Sequence, residues 1–167
     1  MMNWKLRFFL ALLLPALFSP AGCAPRPFPQ ELLDKINRTI TFPELLKDPE
    51  KYKDAWVIFA GMIIVSRNTA EGTFIEVLQK PMDSDNRPLQ TDATGGRFIV
   101  RSNAFLDTAV YRKGRLITVI AQVAGKKEQQ LDEIQYRYPL LAVRDLYLWS
   151  PSPGPRFFFG LGVSHRM

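Results

Sequence analysis

Hydrophobic residues are distributed in two different ways along this chain. The first is a continuous apolar run, Phe8 to Phe18, preceded by Lys5 and Arg7 and followed by the small residues Ser19, Ala21 and Gly22. A basic start, an apolar stretch of about 7–15 residues and a small-residue zone make up the pattern of an export leader. The run is shorter than the roughly 20 apolar residues needed to cross a bilayer. The second is a series of short apolar segments separated by turn-forming residues, starting beyond Lys53.

Between the two, Ala24-Pro-Arg-Pro-Phe-Pro predicts an extended, proline-rich spacer. Glu31 to Arg38 predicts a short helix. A second helix is expected at Thr41 to Lys47: Pro43 falls in the first turn, Glu44 lies near the positive end, and Asp48-Pro49 stops it. Trp56 to Val65 then reads as a strand of β-branched and aromatic residues, with Gly61 marking a bend or bulge. Asn68 to Gly72 is a polar turn, Thr73 to Lys80 a second strand, and Met82 to Gly96 a long polar loop. Arg97 to Arg101 is a third strand, Phe105 to Arg112 a short helical turn, and Leu116 to Val123 a fourth strand. Gly125 to Gln130 reads as a charged hairpin loop, and Leu140 to Trp149 as the last strand. Prolines at 151, 153 and 155 end regular structure before an aromatic tail, Phe157-Phe158-Phe159.

Three strands, a helical connection and two more strands predict an all-β domain with short helices, an OB-like five-stranded Greek-key barrel. A sandwich wants about seven strands. The expected organisation is residues 1–22 as leader, 23–41 as modified N-terminus and tether, 42–149 as the barrel domain, and 150–167 as the break and tail. The chain of 167 residues carries a formal net charge of +6, of which the leader's Lys5 and Arg7 contribute two units. A mild positive excess suits anionic headgroups or glycolipid phosphates, and equally suits solubility alone.

The single cysteine, Cys23, excludes a disulfide within the chain, and a metal site would need more cysteine or histidine nearby. Its place directly after Ala21-Gly22 resembles the lipobox of bacterial lipoproteins. In that motif the leader is cut before a diacylated cysteine and the new amine is acylated. Pro20 stands where a branched residue is usual. A buried inert thiol is the alternative, and its position after an export leader argues against it. A second acyl chain already makes anchoring stable. The expected prosthetic group is thus covalent lipid on Cys23, with no other cofactor and no metal.

Further along, a set of residues resembles the Slp family of outer-membrane lipoproteins, named for a starvation-inducible member. The pattern comprises Asp48-Pro49, Tyr52, Ala60-Gly61, Thr73, Glu76-Val77-Leu78, Pro81, Arg87-Pro88 and Gly96-Arg97-Phe98. It continues through Tyr111, Gly114-Arg115, Thr118-Val119, Tyr136, Tyr138-Pro139 and Leu148-Trp149. Two positions depart from it. Asp54 replaces a usual glycine, although Asp tolerates left-handed geometry, and Ala60 replaces the first of a glycine pair. The resemblance implies a lipid-anchored envelope protein on an OB-like barrel and brings no enzymatic activity with it. Ala24 after the cysteine, rather than Asp, implies transfer to the outer membrane, facing the periplasm.

Candidate chemistry is sparse. The only histidine, His165, is two residues from the end, so a Ser/His or Cys/His couple has no material. Glu76 shares a strand face with Phe74 and Leu78 under period-two alternation. An acid so placed can do proton work or form a structural ion pair, with Arg97 or Arg101 as partner; the ion pair is the simpler reading. Asp83, Asp85 and Asp92 lack the remaining ligands of a calcium loop. OB barrels bind oligomers across their exposed strands, which nominates Arg97, Tyr111, Arg112, Tyr136 and Tyr138 as a ligand face for glycan, lipopolysaccharide or peptide. Nucleic acid, which the same stacking chemistry would suit, is excluded as a partner by the exported compartment. The exposed aromatics of the tail suggest lipid or protein contact, or a last strand completing the domain. The expectation is a non-enzymatic lipoprotein with a structural or binding role, its partners the membrane through acyl chains and an envelope protein or glycan.

Overall fold

The computed structural model describes residues 27–151. Cys23, the leader ahead of it, Phe157–Phe159 and His165 lie outside the described residues. Alternation along the first strand sets the architecture. Val57, Phe59 and Ile63 are buried in the main core, while Ile58, of opposite parity, belongs to a second, outer cluster. Five strands form a closed barrel in the order β1-β2-β3-β5-β4: β1 Trp56–Thr69, β2 Gly72–Lys80, β3 Arg97–Ser102, β4 Leu116–Leu131 and β5 Ile134–Leu148. Every pairing is antiparallel except β3 with β5, where Ile99 to Arg101 run parallel to Leu140 to Ala142. This is the OB-like barrel expected from the strand order.

The helix that plugs the barrel does not lie where the OB pattern suggested. Residues 105–112 form turns rather than a helix, held by the Val110 and Tyr111 N–H groups donating to the Asp107 carbonyl at 3.0 and 2.9 Å. A single turn fixes several dihedrals for few hydrogen bonds and does not propagate alone. The plug is supplied instead by α2, Phe42–Lys47, ahead of β1. Its Phe42 ring meets Phe59 at 5.3 Å and Phe98 at 5.7 Å, and Leu45 is fully buried. The Glu44 carboxylate accepts the Thr41 N–H at 3.0 Å and the Thr41 hydroxyl at 2.7 Å, the reciprocal half of a capping box.

The first helix is α1, Gln30–Leu33, shorter than the Glu31–Arg38 expected. Docking ends it early: the Asn37 N–H donates to the Trp56 carbonyl at 2.9 Å, and Ile36 and Ile40 turn inward. Phe28, Ile36, Ile58 and Ile120 then form the outer cluster. The segment from Phe28 onward therefore lies on the barrel, and any stand-off spacer ends before it.

Both hairpins are longer than expected. β1 continues four residues beyond Val65 to Thr69, pairing Thr69 with Gly72 across the turn. Residues 125–130, read as a loop, are strand: β4 pairs with β5 out to Leu131 and Ile134, and β5 starts well before Leu140. Pro139 is accommodated because the ladder there is a two-stranded ribbon; β3 joins β5 only from Leu140. Asp54 adopts φ 65°, the left-handed geometry its place in the glycine-rich pattern required.

Gly61 is not the bulge. The register shift falls later, between Ile63 and Val65. Gly61 is required because a Cβ there would lie 2.2 Å from the Leu78 carbonyl oxygen and 2.6 Å from Val77 Cγ1. Since the nearest atom is backbone, Gly61→Ala should destabilise the domain by about 3 kcal/mol, the upper end of ordinary overpacking. Urea unfolding checks this as a lowered midpoint with unchanged slope.

Candidate functional site: a strand face closed by its own hairpin

The outward face of β2 carries Phe74, Glu76 and Leu78, half-buried between the buried Ile75 and Val77 of opposite parity. β3 adds Arg97, Ile99 and Arg101. The extended β4–β5 ribbon folds over this face. Its base is bent by a register shift between Val123 and Gly125, with Gly125 at φ 112°, and is pinned by the Lys126 N–H donating to Glu50 at 3.2 Å.

Six polar and aromatic side chains lock the cover in place. Arg97 Nη1 donates to Glu76 Oε1 at 2.6 Å, the side chains being 30% and 16% exposed. The Tyr138 hydroxyl approaches the same oxygen at 3.4 Å, a long contact, and the residue is 1% exposed. Tyr136 packs on Tyr138 at 4.6 Å between centroids, and its hydroxyl oxygen accepts the Arg97 N–H at 3.2 Å. Lys127 Nζ sits 4.1 Å from the Phe74 ring centroid, a close cation–π contact. Glu76 raises the affinity of the Arg97 guanidinium for its proton, chiefly through that hydrogen bond. Burial, then the Glu76 carboxylate, pushes the Tyr138 phenol above its ordinary value. What stays open is a cleft of about 150 Å³ between cover and sheet, lined by Val65, Arg67, Thr69, Phe74, Glu76, Ile99, Lys127 and Gln129.

Of the residues nominated from sequence, Glu76, Arg97, Tyr136 and Tyr138 meet here. Tyr111 and Arg112 do not join them. They lie in the connection after β3, where the Ser66 hydroxyl donates to the Tyr111 carbonyl and the Tyr111 ring packs on the main core. Lys127, Gln129 and Arg67 were missed. Alternation of Lys127 with Gln129, and of Tyr136 with Tyr138, about the Asp132-Glu133 turn was the signal that could have found the ribbon. Asp83 is occupied locally, accepting the N–H groups of Asp85 and Arg87 at 2.9 Å each. Among the described residues no three acidic, histidine or cysteine side chains converge.

Residues 21–157 match the model of the Outer membrane lipoprotein Slp family. The chain belongs to that family, and its compartment is the outer membrane. It is 25% identical over 124 residues to the uncharacterised lipoprotein YeaY of Escherichia coli K12, covering 70% of this chain and 64% of that one. It is 24% identical over 141 residues to outer membrane protein Slp of the same organism, covering 83% and 73%. An uncharacterised Haemophilus influenzae protein is 32% identical over 97 residues, 58% of this chain and 52% of that one. The chain thus spans less than two thirds of two of these relatives, at 64% and 52% of their lengths. Among solved structures, a mitochondrial single-stranded DNA binding protein of Saccharomyces cerevisiae aligns over 60% of this chain and 99% of that one. Its identity is 16% and its TM-score 0.34, too low to carry any functional statement.

The lock predicts two measurable effects. The Glu76–Arg97 pair is too covered to rank with exposed pairs, worth about 0–1 kcal/mol, and too wet for the several kcal/mol lost when a buried pair is broken. A double-mutant cycle of Glu76→Gln and Arg97→Met should give a coupling of about 1–2 kcal/mol. For Tyr138 the phenol holds its proton more tightly folded than unfolded, so its contribution is full below the unfolded value of 10.0 and is lost as pH rises toward the folded value. Alkaline unfolding curves of Tyr138→Phe should therefore lack part of the stability loss that the native chain shows above that pH.

Proposed function

We propose that this chain is a non-enzymatic, lipid-anchored structural lipoprotein of the outer membrane, facing the periplasm, with acyl chains on Cys23. One observation carries the structural part of the reading. The strand face on which OB barrels hold oligomers is filled here by the chain's own β4–β5 ribbon, through Glu76, Arg97, Tyr138 and the Lys127–Phe74 contact. The anchor is supported by the leader, by Cys23 at its end, and by a family match that begins at residue 21. The non-enzymatic reading is supported by the family and by Glu76, the acid best placed for proton chemistry, being engaged by Arg97.

A second reading keeps a binding role. The cleft beside Phe74 brings Arg67, Thr69, Lys127 and Gln129 around one aromatic ring. Aromatic stacking flanked by polar donors suits a short glycan or a lipopolysaccharide sugar.

Palmitate labelling with membrane fractionation tests the anchor. The native chain should take up label and sediment with outer membranes, and Cys23→Ser should lose the label and appear in the soluble fraction. An unlabelled native chain and an equally membrane-bound Cys23→Ser would refute it. For the second reading, titration of the native chain with lipopolysaccharide oligosaccharide should be weakened at least about tenfold by Lys127→Ala if the cleft is the site, a loss of one charge-assisted contact.

A further inference from the structure

The outer surface of β1, β4 and β5 differs from the closed face. Phe28 meets Tyr147 at 6.3 Å between ring centroids, and Tyr147 meets Trp149 at 4.7 Å. Each tryptophan has a cation over its ring: Lys35 at 5.3 Å and Arg144 at 5.8 Å from Trp56, and Arg87 at 5.2 Å from Trp149. Tyr147 is 39% exposed. The acids beside them are engaged, Asp34 by the Gln30 amide at 2.8 Å and Asp145 by the Leu146 N–H at 2.8 Å. Apart from Trp4 in the leader, Trp56 and Trp149 are the chain's only tryptophans, and both lie on this surface.

We propose that this Trp56–Tyr147–Trp149 surface rests on the lipid headgroups of the membrane that holds the anchor, so that the barrel lies on the bilayer instead of hanging free. The inference rests on acylation of Cys23. Phe28 is buried on this surface and stands five residues after Cys23. Five residues reach at most about 18 Å when fully extended, less than the width of a domain of this size, which is about 30 Å. The acylated cysteine must sit at headgroup level, so the surface carrying Phe28 is the one held against it. Its chemistry matches that position: tryptophan and tyrosine place amphipathic rings at the membrane–water interface, and lysine and arginine stems lie along apolar surface with their charges at the phosphates. Asp34 and Asp145 stand next to Lys35 and Arg144 in the chain, so ring burial rather than net charge holds the contact.

Intrinsic fluorescence reads this directly, because processing before Cys23 leaves emission from Trp56 and Trp149 alone. Native protein is reconstituted into phosphatidylethanolamine–phosphatidylglycerol vesicles with or without a lipid carrying a shallow nitroxide. The expected result is a loss of emission with the nitroxide that persists at high salt and is reduced by Tyr147→Glu. Reporters placed elsewhere, Phe105→Trp and Ile134→Trp in a Trp56→Phe, Trp149→Phe background, should keep their emission. These two positions are 69% and 59% exposed, one in the connection between β3 and β4 and the other at the tip of the β4–β5 ribbon. Should the double replacement unfold, native emission and Tyr147→Glu alone decide the matter.

A native chain that floats with vesicles and shows no loss overturns the inference, as does equal or greater loss at Phe105→Trp or Ile134→Trp. Coupling residues 23–167 through the Cys23 thiol to a maleimide phospholipid separates the two claims. Loss in the coupled chain, with no fatty acid on the native one, supports the surface and refutes the acyl anchor. Fatty acid on the native chain without emission loss in either form refutes the surface and leaves the anchor standing.

Discussion

Ala60, Gly61 and Met62 stand in register with both neighbours at once, opposite Lys80, Gln79 and Leu78 of β2 and opposite Thr118, Ile117 and Leu116 of β4. These three residues are where the sheet closes on itself. Closure removes free edges along the barrel wall and makes β1 serve two neighbours at once. Gly61 permits the pairing with β2 by letting the Leu78 carbonyl and Val77 approach where a side chain would stand. Ala60 next to it is fully buried and, by strand parity, points to the opposite face.

Closure also decides which surfaces remain for function. The inside is filled by Val57, Phe59, Ile63, Ile75, Val77, Phe98 and their neighbours, and α2 plugs it with Phe42 and Leu45. The outside of β2 and β3 is taken by the β4–β5 ribbon. The outside of β1 and β4 is taken by the arm from Phe28 to Ile36. A structural role accords with a barrel that spends its outer faces on its own chain. The two covers differ in character: one is an ion pair with tyrosines, the other an apolar and aromatic seam close in sequence to Cys23.

A polar lock over β2 and β3 has a physical consequence. Glu76 and Arg97 sit on a half-apolar strand face, where neither would be tolerated alone. Tyr138 completes the arrangement by excluding water from one side of the pair. The ribbon is thereby fixed over the face by directional bonds as well as by burial, and the 150 Å³ cleft beside Phe74 keeps a defined shape.

Local patterning determined a good deal by itself. The helix capped around Thr41 and Pro43 and the cores of all five strands are written in short runs of residues, because each depends on neighbours within a few positions. The pairing of Glu76 with Arg97 was readable as a candidate for the same reason, from strand parity alone. The features that tertiary structure decided depend on residues far apart. Lys126 to Gln130 has no apolar alternation and Pro139 interrupts the start of β5, so the local signal is limited to the alternation of Lys127 with Gln129 and of Tyr136 with Tyr138, which does not by itself place the ribbon. The ribbon exists because Tyr136, Tyr138 and Lys127 find Arg97, Glu76 and Phe74 across the barrel. The helix of residues 31–38 shortened and the turn at 105–112 stayed a turn because docking to the sheet outweighs weak helix propensity in segments this short.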